Sequence, residues 1–163
     1  MAVYAISDTH FGHANILQYR TQFQSIEEHD QFIVDKILSR CGKRDTLYIL
    51  GDVVIYADAL EWLGEIATNI EYLHIVLGNH DLERKGCPSL NDYQALCKSV
   101  TGMKCYKSAW LTHAPIHPDE LRGKINIHGH IHDKTIDDPR YVNVSCEAIS
   151  YTPINLADVL TAA

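Results

Sequence analysis

Asp8 and His10 stand two residues apart at the end of the apolar run Ala2-Val3-Tyr4-Ala5-Ile6. Such a run reads as a short buried strand, and residues i and i+2 of an extended backbone point to one side. A carboxylate oxygen and an imidazole nitrogen aimed at one point suit a divalent metal of borderline hardness. Alone the pair is a weak signal, but its layout returns along the chain. Asp52 follows Leu47-Tyr48-Ile49-Leu50-Gly51, and Asn79-His80-Asp81 follows the run Tyr72 to Leu77 with Gly78 between. His113 follows Trp110-Leu111-Thr112, and His130 with His132 follows Ile125-Asn126-Ile127. In open α/β sheets the binding crevice lies beyond the carboxyl ends of the strands, so these residues are expected to converge there. Gly51, Gly78 and Gly129 precede several of them and would allow unusual backbone angles and close approach to an ion or phosphate.

Each residue also has a bland reading. Gly51-Asp52 by itself is more often a turn than a ligand, and Asn79 beside Gly78 is a common left-handed turn residue. A single His113 is more often a partly buried histidine with an ordinary hydrogen bond. The weight lies in the repetition, in order and always at strand ends.

The elements that must position these residues alternate in type. After the first strand, Phe11 to Phe23 reads as loop with a helical turn near Ile16–Tyr19. Ser25-Ile26-Glu27-Glu28 matches a capping box and opens a helix whose apolar stripe is Phe32, Ile33, Ile37 and Leu38, with Gly42 at its end. Strands at 47–50 and 72–77 are separated by a helix over 57–67. A further helix is expected from Leu90 to about Val100, capped by Ser89. Short strands follow at 103–106, 110–112, 125–127, 141–144 and 149–154, then a last helical turn over 157–160. With no repeat or linker, residues 1–163 are expected to form one α/β domain, parallel at first and more antiparallel later.

Composition narrows the function. The net charge of −7 argues against a protein that grips nucleic-acid backbone non-specifically. A bound dication would still give such a chain a local positive centre. The five cysteines include no Cys-x-x-Cys pair, which speaks against a disulfide framework or a thiolate zinc site. No apolar run approaches the ~20 residues of a membrane span and no signal peptide is evident, so a reducing, cytoplasmic setting is expected.

Together, Asp8-x-His10, Gly51-Asp52, Gly78-Asn79-His80-Asp81, His113 and Gly129-His130-x-His132 resemble the signature of the calcineurin-like metallophosphoesterases. The opening Ser7-Asp8-Thr9-His10-Phe11-Gly12-His13 is similar to a compact bacterial and phage branch. The resemblance implies a four-layer αββα sandwich of two mixed sheets flanked by helices. It also implies two divalent ions, with Mn, Fe, Zn, Ni and Co all suited to the donor set. One ion would be held by Asp8, His10 and His132, the other by Asn79, His113 and His130, with Asp52 bridging. His80 matches the family's non-ligand histidine and Asp81 the carboxylate that orients it. The implied reaction is hydrolysis of a small, nucleotide-like phosphate mono- or diester by a hydroxide bridging the two ions.

Near this set, His13, Asn15 and Arg20 are candidate substrate contacts, though a structural role for each is equally open. His117 is a weaker candidate for the rim, His128 reads as core, and Arg84 with Lys85 could draw in an anion. Two other functions remain in view: a non-catalytic interaction module on the same fold, and a nuclease. The intact ligand set weighs against the first. The acidic balance weighs against long nucleic acid as a partner.

Overall fold

The apolar runs that carry the first three motifs become the middle of one sheet. In the computed structural model, which describes residues 1–162, β1 (Val3–Ile6), β2 (Thr46–Leu50) and β3 (Tyr72–Val76) pair in parallel. β4 (Ser99–Thr101) extends this sheet in parallel beyond β3, and β9 (Ile154–Asn155) closes its other edge antiparallel to β1. A second sheet has the order β5 (Lys104–Tyr106), β6 (Ala109–Leu111), β7 (Ile125–His128) and β8 (Tyr141–Asn143). Within it only β5 is antiparallel, while β6, β7 and β8 run parallel. The C-terminal half is thus less antiparallel than the sequence suggests. Parallel neighbours need a crossover, and here the crossovers 112–124 and 129–140 contain no helix longer than the 3-10 turn Pro118–Glu120, so no helical pattern announces them.

Alternation along the strands builds the layers. Leu47 and Ile49 of β2 join Ile6 and Ile75 in a core shared with Ile33, Val34 and Ile37 of α1 (Ile26–Arg40) and Leu63 and Ile66 of α2 (Leu60–Asn69). Each such side chain contributes about 1.5–3 kcal/mol when fully buried. Tyr48 and Leu50 face the opposite way, packing with Ala5 and Val76 against Ala109, Leu111 and Ile127 of the second sheet. The outer face of that second sheet lies under the loop 113–124. Asn126, wholly buried, ties the loop down by accepting from the Ile116 N–H at 2.9 Å. α3 (Leu90–Leu96) adjoins α2 and β4, and α4 (Leu156–Ala162) lies along β1 and β9 with Leu156 in the core between the sheets. Two mixed sheets face each other and four helices accompany them, as the resemblance implies.

Local signals explain most boundaries. Ser25 Oγ accepts the Glu28 N–H at 3.1 Å, but the Glu28 carboxylate returns to the Gln24 N–H rather than to that of the cap. The complete capping box is at Ser89 and Asp92. α3 stops at Leu96, short of the expected Val100, because Lys98 N–H donates to Leu73 O and Ser99–Thr101 pair with β3. The strand expected over 149–154 shrinks to its last part, since Ser150 and Tyr151 adopt left-handed angles (φ 51° and 59°) in a turn. Among the described residues no helix is long and apolar enough to cross a membrane.

A parallel bridge between Ser7 and Ser145 joins the end of β1 to the segment after β8. The carboxyl ends of both sheets therefore meet at one rim.

Candidate metal centre

Two trios of side chains converge at that rim. Asp8, His10 and His132 each offer a ligand-type atom within 4.8 Å of the others, and so do Asp52, His113 and His130. In the first trio, Asp8 Oδ1 lies 3.9 Å from both His10 Nε2 and His132 Nε2. Asp8 Oδ1 and His10 Nε2 are buried and have no hydrogen-bond partner. Burial, reinforced by the Arg20 charge, holds His10 well below its ordinary pKa, so its ring stays neutral and presents a lone pair.

In the second trio, His113 Nδ1 lies 2.8 Å from Leu50 O, a bond it can make only as donor. Nε2 is then left facing Asn79 Oδ1 at 2.9 Å, His130 Nδ1 at 3.1 Å and Asp52 Oδ1 at 3.5 Å. Burial works against charge on this ring, yet the hydrogen bond and charge of Asp52 hold its pKa up to about 9. Burial likewise opposes charge on Asp52, and His113 overrides it, keeping the carboxyl well below the usual carboxylate range. Both shifts mark a place that attracts positive charge. Asp52 also reaches the first trio, its Oδ2 lying 3.7 Å from His10 Nε2. It stands between the two.

The donors converge by a different local geometry from the one the spacing suggests. Asp8, His10, Asp52, His130 and His132 all have positive φ (59°, 52°, 50°, 71° and 54°). The i and i+2 pairs are therefore not extended. Each strand ends in left-handed turns that swing both side chains inward, a conformation that disfavours non-glycine residues. Close packing supports the turns. A Cβ at Gly129 would overlap Ser7 Oγ and the Asp8 carboxylate, and one at Gly78 would overlap Asp52.

The residues beside the trios depart from expectation. Asp81 makes no hydrogen bond to the His80 ring. Its wholly buried carboxylate accepts the backbone N–H groups of Asp52, Val53 and Gly78 at 3.0, 2.7 and 2.6 Å and the Tyr93 O–H at 3.1 Å. It braces the ends of β2 and β3 against each other. The His80 partner is Arg84, whose Nε donates to His80 Nδ1 at 3.0 Å. That bond leaves the proton of a neutral His80 on Nε2, which lies 3.9 Å from Asp52 Oδ2.

Among the candidate substrate contacts, His13 stacks on His10 (centroids 5.2 Å apart) with their Nδ1 atoms at 3.1 Å. Asn15 is exposed on the 3-10 turn Ala14–Gln18. Arg20 cannot meet substrate, nor is it solvated: it is 1% exposed, and its guanidinium donates to Glu147, Asp8 O and Thr9 O. His117 caps the 3-10 turn Pro118–Glu120, accepting the Asp119 N–H. His128 is buried with its edge to Tyr141, as core. Glu147, which no motif singled out, accepts from His132 Nδ1 at 3.0 Å. Its one sequence signal is an acidic residue just past the strand 141–144.

The donors fit a divalent cation. A ligand atom sits ~2.0–2.2 Å from a zinc-sized ion, so two on one ion lie at most roughly 4.4 Å apart. Separations of 3.5–3.9 Å between Asp8, His10, His132, Asp52 and His113 donors fall inside that limit. Buried polar atoms rarely lack partners, and a cation would satisfy Asp8 Oδ1 and His10 Nε2 together.

Comparison with known proteins is consistent with this geometry. The family profile described as calcineurin-like phosphoesterase matches residues 1–158. An uncharacterized protein of Methanocaldococcus jannaschii, MJ1445, is 29% identical over 170 residues, covering 94% of this chain and 86% of its own. The gene 66 protein of Mycobacterium phage L5 is 30% identical over 159 residues, covering 80% and 77%. A crystal structure of AQ665, a protein of unknown function from Aquifex aeolicus, shares the fold at a TM-score of 0.78, with 23% identity and 99% of each chain covered.

Proposed function

Because the chain belongs to the calcineurin-like phosphoesterase family, we propose that it hydrolyses a small, nucleotide-like phosphate mono- or diester using two divalent cations at the rim. Asp8, His10 and His132 would hold one cation, and Asn79, His113 and His130 the other, with Asp52 touching both. The observation that carries this reading is the buried, unpartnered pair Asp8 Oδ1 and His10 Nε2 within one trio. A divalent pair supplies Lewis acidity toward the phosphoryl oxygens and a nucleophile at neutral pH.

The chain's own part is positioning and proton handling. Leu50 O fixes the His113 ring through Nδ1, and Asp81 holds Asp52 and Gly78 in register. His80, with Nδ1 engaged by Arg84, presents its Nε2 proton as a hydrogen bond that stabilises the charge building on the leaving oxygen, a contribution of roughly 10²–10³-fold. Only 31 residues separate Asp81 from His113, too few for a large cap, which favours small substrates reaching an open site. The net charge of −7 weighs against long nucleic acid.

The test is turnover of bis-(p-nitrophenyl) phosphate and of the monoester with manganese, then of short dinucleotides. His80→Ala should keep its metal and lose turnover, whereas Asp52→Ala should lose both ions. Two bound ions with no turnover of any ester would replace this reading with a non-catalytic module.

A further inference from the structure

Glu147 belongs to neither trio, yet it is tied to one of them. Its Oε1 accepts from His132 Nδ1 at 3.0 Å and from Arg20 Nε at 2.7 Å. A carboxylate in this role only accepts, so Nδ1 carries the His132 proton and Nε2 turns its lone pair toward Asp8 Oδ1. Arg20 is the largest of the fully buried side chains. The rest of its guanidinium serves the same trio: Nη2 donates to Asp8 O at 2.7 Å and Nη1 to Thr9 O at 3.4 Å. Nη1 also donates to His29 Nε2 at 2.8 Å, and His29 Nδ1 in turn bonds Asp30 of α1 at 2.6 Å. One ion pair between residues 127 positions apart thus joins the turn bearing Asp8 and His10 to the turn bearing His132. The second trio is held differently, with His113 resting on a backbone carbonyl.

We propose that Glu147, clamped by Arg20, is a positioning residue that sets cation affinity at the Asp8–His10–His132 subsite and leaves the other subsite unaffected. Carboxylates behind a ligating histidine fix its tautomer and raise its basicity, and their loss typically lowers metal affinity 10–100-fold. The proposal deepens the metal-dependent reading above and rests on it. The competing role for the same pair is purely structural, an ion pair between buried Arg20 and half-buried Glu147 that supports the fold without tuning the ion.

Manganese titration of the stripped full-length chain, by calorimetry and by metal analysis after dialysis, separates these roles. The parent should take up two ions. Glu147→Gln keeps shape and removes charge, and should weaken one ion roughly 10–100-fold with the other unchanged. Glu147→Asp keeps the charge beside Arg20 but withdraws it from His132. It should weaken the same ion, and it covers the case in which Glu147→Gln does not fold. His132→Ala should lose that ion, and adding Glu147→Gln to it should change nothing more. The proposal is overturned by variant titrations that superimpose on the parent's, by equal weakening of both ions, or by further loss on top of His132→Ala. Unchanged affinities with a lowered melting temperature of the stripped protein would likewise assign the pair to structure alone. A parent that takes up no manganese would defeat the phosphoesterase reading itself, and this proposal with it.

Discussion

Replacing Asp81 by Asn separates a brace from an orienter of His80. The carboxylate accepts two N–H groups on Oδ2, from Asp52 and Gly78, and on Oδ1 the Val53 N–H and the Tyr93 O–H. In its better orientation an Asn amide keeps its oxygen toward Asp52 and Gly78. Its NH2 then donates to Tyr93 and leaves the Val53 N–H buried without an acceptor. An unpaired buried donor costs about 1–3 kcal/mol, and each of the two retained bonds loses roughly 1 kcal/mol of charge assistance. The sum is about 3–5 kcal/mol, a large part of the 5–15 kcal/mol typical of a folded protein. For a chain of this size it lowers the melting temperature on the order of 10 °C. The assay is thermal and urea unfolding of the metal-stripped variant followed by circular dichroism, with turnover measured alongside. A variant that melts with the parent yet loses turnover would refute the brace and restore Asp81 as the residue acting on His80.

Three further expectations follow from the same geometry. Arg84→Ala frees His80 Nδ1 and should lower kcat roughly 10–100-fold at unchanged metal content; parent-like kcat would show that the Arg84 bond is idle. Burial holds His29 below its ordinary pKa, so the unfolded chain takes up that proton first as pH falls. The stability His29 contributes is therefore whole above about pH 6.5 and is lost below it. His29→Gln should flatten the decline of stripped-protein stability between about pH 6.5 and 5, and an unaltered slope in urea melts would contradict this. Gly129→Ala drives a methyl into Ser7 and Asp8, a strain of at least ~1–3 kcal/mol. It should cut both melting temperature and manganese uptake, and a variant matching the parent in both would show that the close approach is not needed.

What the sequence displays and what it hides divide along sequence distance. Donor types at strand ends are local, so Asp8, His10, Asp52, Asn79, His113, His130 and His132 stand out before any fold is known. The first three strands and the Ser89 cap are legible for the same reason. The more distant partners of Asp81 are not, because they lie just past the end of β2 and on α3, brought near only when the sheet and helices pack. Glu147 is invisible as a motif because its partners are 15 and 127 positions away. Arg20 reads as a surface or substrate residue until Glu147 and the carbonyls of residues 8 and 9 supply it with a counter-charge and acceptors. The left-handed angles at Asp8, His10, His130 and His132 are hidden too. Residues other than glycine rarely take them, and only the packed rim holds them there.

The function proposed for the rim requires two cations side by side, one per trio, with Asp52 between them. Crystals grown with manganese and measured across the manganese absorption edge test it most directly. Two anomalous peaks are expected, one against Asp8, His10 and His132 and one against Asn79, His113 and His130, both in contact with Asp52. A single peak, or peaks elsewhere with Asp8 Oδ1 and His10 Nε2 still bare, would contradict it.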